Sequence, residues 1–315
     1  MGPLATPTSE RPACARPAWV RGNPFDLDDE AAYRAWRDIK LEQAPRDPAD
    51  LVVELHDPLA LTRAERGALI ERCAHFNMAL YRCARAGDGK TLSHALVRQL
   101  GCQLGLVRLD ANWLADDDGI SPITVRAGAG PAAGFIPYTD RAIKWHTDGY
   151  YLPPGRAIRA MVLHCVRPAA GGGANRLLDP ELAYIGLRDA DPAFVAALMA
   201  DDAMTIPPRC DEDGIARAAQ GGPVFSLGPD GALQMRYTAR TRSIEWKADA
   251  ATRAAVACLE GLLGGASPHV LRQRMEAGMG LVSNNVLHDR EAFQDDPAAP
   301  RLLYRARFHD RVAAV

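Results

Sequence analysis

No run of about 18 apolar residues occurs in this chain, which excludes a membrane-spanning helix. Neither sign of charge is in surplus: 37 Lys and Arg stand against 39 Asp and Glu, for a net charge of −2. A nucleic-acid partner would call for a basic face, so none is expected. There is no CxxC, no Asn-x-Ser/Thr acceptor and an odd count of seven cysteines. That set reads as reduced thiols in a cytoplasm, packed as small hydrophobes and doing no chemistry. The first residues lack a hydrophobic stretch fit for a secretory signal, and Pro3, Pro7, Pro12, Pro17 and Pro24 break any transit helix. No Gly-x-Gly-x-x-Gly follows a strand-like run, which argues against a dinucleotide fold. The expectation is a cytoplasmic protein with a small-molecule partner, no nucleic acid and no membrane, with a homo-oligomer left open.

What is present is enough for a large core: 48% of the 315 residues are hydrophobic and 24% charged. Residues 1–25 read as a flexible Pro-rich arm, and 26–315 as a single domain. Thr62 and Glu65 form a capping box ahead of Leu69, Ile70, Cys73, Phe76 and Leu80 at helical spacing, and a second helix is expected over 92–103. From Pro122 the pattern changes to short β-like runs: Ile123–Val125, Phe135–Tyr138, and Ile158–Val166, which is apolar enough for an interior strand. Asp179-Pro180 and Asp191-Pro192 each open a helix, with Asp as cap and Pro in the first turn. Strand-like runs resume at 204–206, 224–227 and 233–242. A helix over 250–263 sits behind Asp249, and strands over 269–275, 280–288 and 301–308 follow. The pattern is mainly β with helical insertions (α+β), the largest around 179–250. It suggests a closed β architecture such as a jelly roll.

The stretch Lys144-Trp-His-Thr-Asp-Gly-Tyr-Tyr151 carries the chemistry. On a strand, His146 and Asp148 share a face with Cα atoms about 7 Å apart, so an imidazole and a carboxylate converge. His288, in Asn284-Asn-Val-Leu-His-Asp-Arg290, supplies a third ligand. Two His and one carboxylate on one side of a metal leave the opposite positions open, the arrangement of non-haem Fe(II) oxygenases. A lone His-x-Asp more often marks a strand histidine bonded to a nearby carboxylate. The constellation around it decides.

Part of that constellation is the closing strand Arg301-Leu-Leu-Tyr-Arg-Ala-Arg-Phe308, which sets Arg301 and Arg305 on one face with Arg307 continuing the row. Guanidinium forks bind carboxylates two-pronged, so a dicarboxylate near the metal would match the first two. An edge strand with a charged solvent face would give the same pattern.

Together these pieces resemble the taurine/2-oxoglutarate dioxygenase-like family, which includes relatives of γ-butyrobetaine hydroxylase. Trp145-His-Thr-Asp-Gly, the turn Gly171-Gly-Gly-Ala-Asn-Arg-Leu-Leu-Asp179, Leu287-His288 and Arg301-x3-Arg305 occur in the family's order across about 122–308. The resemblance implies a double-stranded β-helix that binds Fe(II) through His146, Asp148 and His288. It further implies 2-oxoglutarate as co-substrate, with Arg301 on its distal carboxylate and Arg305 near the chelating end, and O2 as oxidant. The reaction implied is oxidation, by hydroxylation above all, of a small organic substrate with release of succinate and CO2. Asp148 favours hydroxylation over halogenation, because halogenating relatives carry a small residue there. Two positions depart from the family: Asn175 stands where a Thr usually touches the co-substrate, and Asp289-Arg290 replaces Gly-Arg.

Further substrate-side candidates are Tyr150 or Tyr151, whichever faces the pocket, Arg126, Tyr237 and Arg240. Arg236, Arg240 and Arg242 share a face that reads as a solvated sheet face before it reads as an anion site. His164 lies in an apolar run and reads as a core histidine, and His309-Asp310 as surface. Two other functions fit the three ligands: a metal-dependent hydrolase or isomerase, which needs no Arg pair on the closing strand, and a non-catalytic binding module, whose mark would be a broken triad.

Overall fold

The computed structural model describes residues 22–84, 90–110, 119–125, 136–211 and 214–313. Cys14 and Arg126 lie outside them. Among the described residues six helices, α1 (Glu30–Gln43), α2 (Arg63–Phe76), α3 (Lys90–Gln103), α4 (Pro180–Ala190), α5 (Pro192–Leu198) and α6 (Ala250–Gly264), frame two principal sheets. The strands of these sheets are β1 (Val52–Leu55), β2 (Met78–Cys83), β3 (Ser121–Ile123), β4 (Ile143–His146), β5 (Ala160–Arg167), β6 (Asn175–Leu178), β7 (Leu271–Gln273), β8 (Met279–Ser283), β9 (Leu287–Arg290) and β10 (Leu302–Phe308). The larger sheet runs β1-β2-β8-β5-β10-β3 and the smaller β7-β6-β9-β4. Met161, Leu281 and Leu303 of the first pack with Leu177 and Leu271 of the second in one buried cluster, so the sheets face each other.

The helix openings follow the local chemistry read from sequence. Thr62 and Glu65 make the reciprocal capping box of α2, and Asp179, Asp191 and Asp249 cap α4, α5 and α6. The apolar run at β5 is interior, flanked by β8 and β10. His164 within it is fully buried, 3.1 Å from the Tyr81 hydroxyl. Residues 179–250 supply α4, α5 and short hairpins that pack with α6 around Tyr184, Leu198, Phe225 and Leu259.

Several expectations are corrected. Leu80 is strand, not helix: Asn77 ends α2 in the left-handed region (φ 59°) and the chain turns into β2, which pairs with β1. Ile136–Tyr138 is a 3-10 turn, since Pro137 offers no N–H to a ladder. The run 233–242 is strand only at Leu233–Met235; beyond it Tyr237 and Ala239 bond to the backbone of Trp145 and Thr147 instead. The run 280–288 is two strands, broken where Asn285 takes φ 55°. That break carries the chain from the larger sheet into the smaller one.

Candidate active site

His146 ends β4 and His288 sits in β9, where the antiparallel register sets the two residues opposite each other. Their rings lie 4.2 Å apart between centroids. In each, Nδ1 faces the carbonyl two residues earlier, Lys144 O and Val286 O, both at 2.9 Å. A carbonyl calls for a proton on Nδ1, so both rings present Nε2 with its lone pair. Asp148 follows β4 and is gripped by Asn285, which accepts from Asp148 N (2.8 Å) and donates to Asp148 O (3.0 Å) and Ile158 O (2.8 Å). Gly149 then turns the chain at φ 69°; a Cβ there would stand 2.4 Å from Ile158 Cγ1. One ligand atom from each of His146, Asp148 and His288 lies within 4.8 Å of the others, the spacing of a metal centre.

The electrostatics suit a cation. Burial and the adjacent His288 push the His146 imidazole down to about 3, against the pull of Asp148. Burial works to raise the Asp148 carboxyl, but Arg305 and then Arg307 hold it well below the usual carboxylate range. Arg305 Nη1 lies 3.1 Å from Asp148 Oδ1, while Oδ2 is buried without a protein partner. An ionised carboxylate oxygen and neutral imidazoles with free lone pairs are what Fe(II) needs from its ligands.

A cavity opens beside the triad. Met161, Leu163, Leu177 and Leu281 form apolar walls, and Asn175, Arg290, Arg301 and Arg305 also line it. Among the described residues, Asn175 Nδ2, Arg290 Nε, Arg301 Nη1 and Arg305 Nε are buried with no acceptor. All four are donors, so an acceptor-only anion is what satisfies them. Arg290 and Arg301 sit 4.8 and 5.0 Å from the Phe293 ring centre. Burial and Arg301 push the Arg290 guanidinium down to about 9. A guanidinium keeps its proton, so the cost is that of two buried charges awaiting a counter-charge. Arg301 is only 5% exposed, which excludes the solvent-facing edge strand.

Not every candidate from the sequence comes here. Tyr237 is sealed in the core against Trp246, and only its backbone reaches the site, through Thr147. Arg240 is exposed, turned outward ahead of the 3-10 turn Thr241–Ser243. Tyr150 and Tyr151 both flank the site half-buried, and Tyr151 is the one bonded inward, its hydroxyl accepting from Arg307 Nη1 at 3.1 Å. Arg307 also pairs with buried Asp110 at 2.5 Å. Asn285 and Asp110 were not singled out from sequence, and Arg290 was named there only beside Asp289 as a departure from the family's pattern. Only the asparagine interrupting an apolar run, and the arginine next to the histidine motif, left any signal.

The taurine catabolism dioxygenase TauD, TfdA family model matches residues 95–307. Two uridine-5'-phosphate dioxygenases are each 32% identical to the chain. The one from Streptomyces sp aligns over 200 residues, covering 61% of this chain and 69% of that protein. For the one from Amycolatopsis sp the alignment spans 173 residues, covering 52% and 60%. Among solved structures, asparagine oxygenase in complex with Fe(II), 3-hydroxyasparagine and succinate aligns with a TM-score of 0.57 at 14% identity, covering 92% of this chain and 86% of the other. The non-heme iron oxygenase OrfP in complex with Fe aligns at 0.55 and 16%, covering 89% and 91%. The chain belongs to the TauD/TfdA family and is an iron- and 2-oxoglutarate-dependent dioxygenase.

Proposed function

We propose that His146, Asp148 and His288 hold the iron, that the adjoining cavity holds 2-oxoglutarate, and that the substrate is a small phosphorylated molecule of the nucleoside monophosphate class. The observation carrying the first two assignments is the pairing of an unsatisfied carboxylate oxygen at the triad with unsatisfied donors on the cavity-lining residues. Arg301 takes the distal carboxylate through its fork, and Asn175 donates its amide to the co-substrate. Arg305 stands near the chelating end, where it also fixes Asp148. The two facing sheets with the site on their strands support a jelly roll. The substrate class is supported by the relatives named uridine-5'-phosphate dioxygenase. No disulfide joins the six described cysteines, which fits the cytoplasmic location expected from their pattern in the sequence.

When bound, iron with 2-oxoglutarate and O2 supplies the oxidising power, and succinate and CO2 leave. The chain supplies aim and dryness. The Nδ1–carbonyl bonds stop the two imidazoles from turning, Asn285 fixes the Asp148 backbone, and Arg305 fixes its side chain. The walls of Met161, Leu163, Leu177 and Leu281 keep water from the co-substrate. The test has two steps. Anaerobic titration of the Fe(II) protein with 2-oxoglutarate should raise the visible charge-transfer band of the chelate. Uridine 5'-phosphate should then stimulate succinate release well above that with 2-oxoglutarate alone. No band would overturn the co-substrate site, and no stimulation by any nucleoside monophosphate would overturn the substrate class.

A further inference from the structure

The co-substrate cavity takes one side of the triad, so substrate must approach from another. Past Asp148 and Gly149 the chain continues into Tyr150 and Tyr151, whose rings meet edge to face at 5.4 Å. The Tyr151 hydroxyl is held by Arg307, one of the cations that act on Asp148. Arg217 stands over the same Tyr151 ring, 5.8 Å from its centre. Its other contacts are carbonyls: Pro207 O at 2.7 Å, and Tyr151 O and Ala218 O at 3.4 Å each. Arg236 is a neighbouring cation that donates to Tyr150 O (2.8 Å), Gly221 O (3.1 Å) and Gln220 O (2.5 Å).

Among the described residues, neither Arg217 nor Arg236 has a carboxylate partner. Burial pulls both guanidiniums down, and Arg217 pushes Arg236 further, to about 10. Two partly buried like charges side by side, bound only to carbonyls, cost free energy that an arriving anion removes. The two differ in freedom. Arg236 commits Nε, Nη1 and Nη2 to the backbone, whereas Nη1 of Arg217 has only long contacts. We propose that Arg217 is the substrate's phosphate-binding residue, and that Arg236 positions the Tyr150–Tyr151 wall behind it. A phosphate monoester offers the planar fork two acceptor oxygens and a matching charge. The rest of such a substrate would lie along Tyr151 toward Arg307 and the triad. The nucleotide part of this assignment rests on the substrate class proposed above; the anion site itself does not.

The test uses the Fe(II)–2-oxoglutarate protein held without oxygen, with labelled inorganic phosphate as probe in equilibrium dialysis, and steady-state turnover of uridine 5'-phosphate. Arg217→Gln should weaken phosphate binding by about 10-fold or more, and Arg217→Lys should recover part of the loss. KM for uridine 5'-phosphate should rise roughly 10- to 100-fold in Arg217→Gln, while kcat and the affinity for 2-oxoglutarate stay near wild type. If wild type binds no phosphate, or Arg217→Gln matches it in phosphate binding and KM, the subsite is overturned. If phosphate binds and depends on Arg217 but uridine 5'-phosphate is not turned over, the subsite stands and the nucleotide reading falls.

Discussion

At the scale of single residues, three side chains with one ligand atom each leave no redundancy. His146→Ala, Asp148→Ala and His288→Ala should each abolish turnover, and wild type should take up about one Fe(II) per chain by metal analysis. Full iron-dependent activity in any of the three would remove that residue from the ligand set. The cavity arginines differ from these ligands. Arg301→Ala should weaken 2-oxoglutarate by roughly 10- to 100-fold, from about 1.5–3 kcal/mol per charged hydrogen bond. Arg301→Lys should restore charge without the planar fork and rescue only in part. Iron content should hold, because Arg301 is no ligand; a matching loss of iron would point to collapse of the site instead. The proposed metal ligands and this arginine could be picked out in the sequence because short spacing and ligand chemistry are local. Asn285 and Arg290 could not, because their partners lie far along the chain at Asp148 and at residues 137–141.

Between elements, long-range contacts override what each segment suggests. Lys40 lies on α1, yet it is 7% exposed, with Nζ 2.6 Å from Asp179 and 2.5 Å from Glu181 at the start of α4. Burial works against its charge, but the two carboxylates outweigh that and raise its pKa. Lys40→Met would strand the buried Asp179 and the partly buried Glu181, so a loss of about 3–5 kcal/mol is expected in urea unfolding at neutral pH. A loss under about 1 kcal/mol would mean that the pair contributes no more than a surface bridge. Gly280 in β8 is constrained from both sides: a Cβ would stand 2.2 Å from the Tyr81 ring and 2.4 Å from Leu163 O. Gly280→Ala should therefore destabilise by about 1–3 kcal/mol or more, read as a lower melting temperature. An unchanged melting temperature would mean that β2 and β5 can part at no cost.

For the molecule as a whole, the segment after β10 is tied to Val107 and Arg108 rather than left on the surface, which corrects the reading of His309-Asp310. Asp310 is 6% exposed and accepts from Val107 N (2.9 Å), Arg108 N (2.6 Å) and Arg108 Nε (2.7 Å). Burial works to raise its carboxyl, but the bonds from Arg108 and Val107 hold it below the usual value. A carboxyl with a lowered folded pKa contributes fully above its unfolded value, near 3.9, and loses that contribution as pH falls through the folded one. Asp310→Asn should thus cost about 1.5–3 kcal/mol at pH 7. The gap to wild type should narrow as pH drops below about 4. Melting curves at both pH values check this; an equal gap at each would assign the loss to packing rather than charge.

The sequence by itself determined what depends on neighbours in the chain. A capping box and Asp-Pro openings set where α2, α4 and α5 begin, and the one-residue gap between His146 and Asp148 keeps the two close, although Asp148 lies past the end of β4. The closing strand's alternation lines up its arginines. Tertiary structure decided what depends on which segments meet. It chose Tyr151 over Tyr237 and Arg240 for the site, because Tyr237 fills the core and Arg240 stays in water. It split the run 280–288 at Asn285, since one residue in the left-handed region redirects the strand into the second sheet. It also left Arg217 and Arg236 together with no carboxylate partner among the described residues, a charge balance that exists only once distant strands are packed.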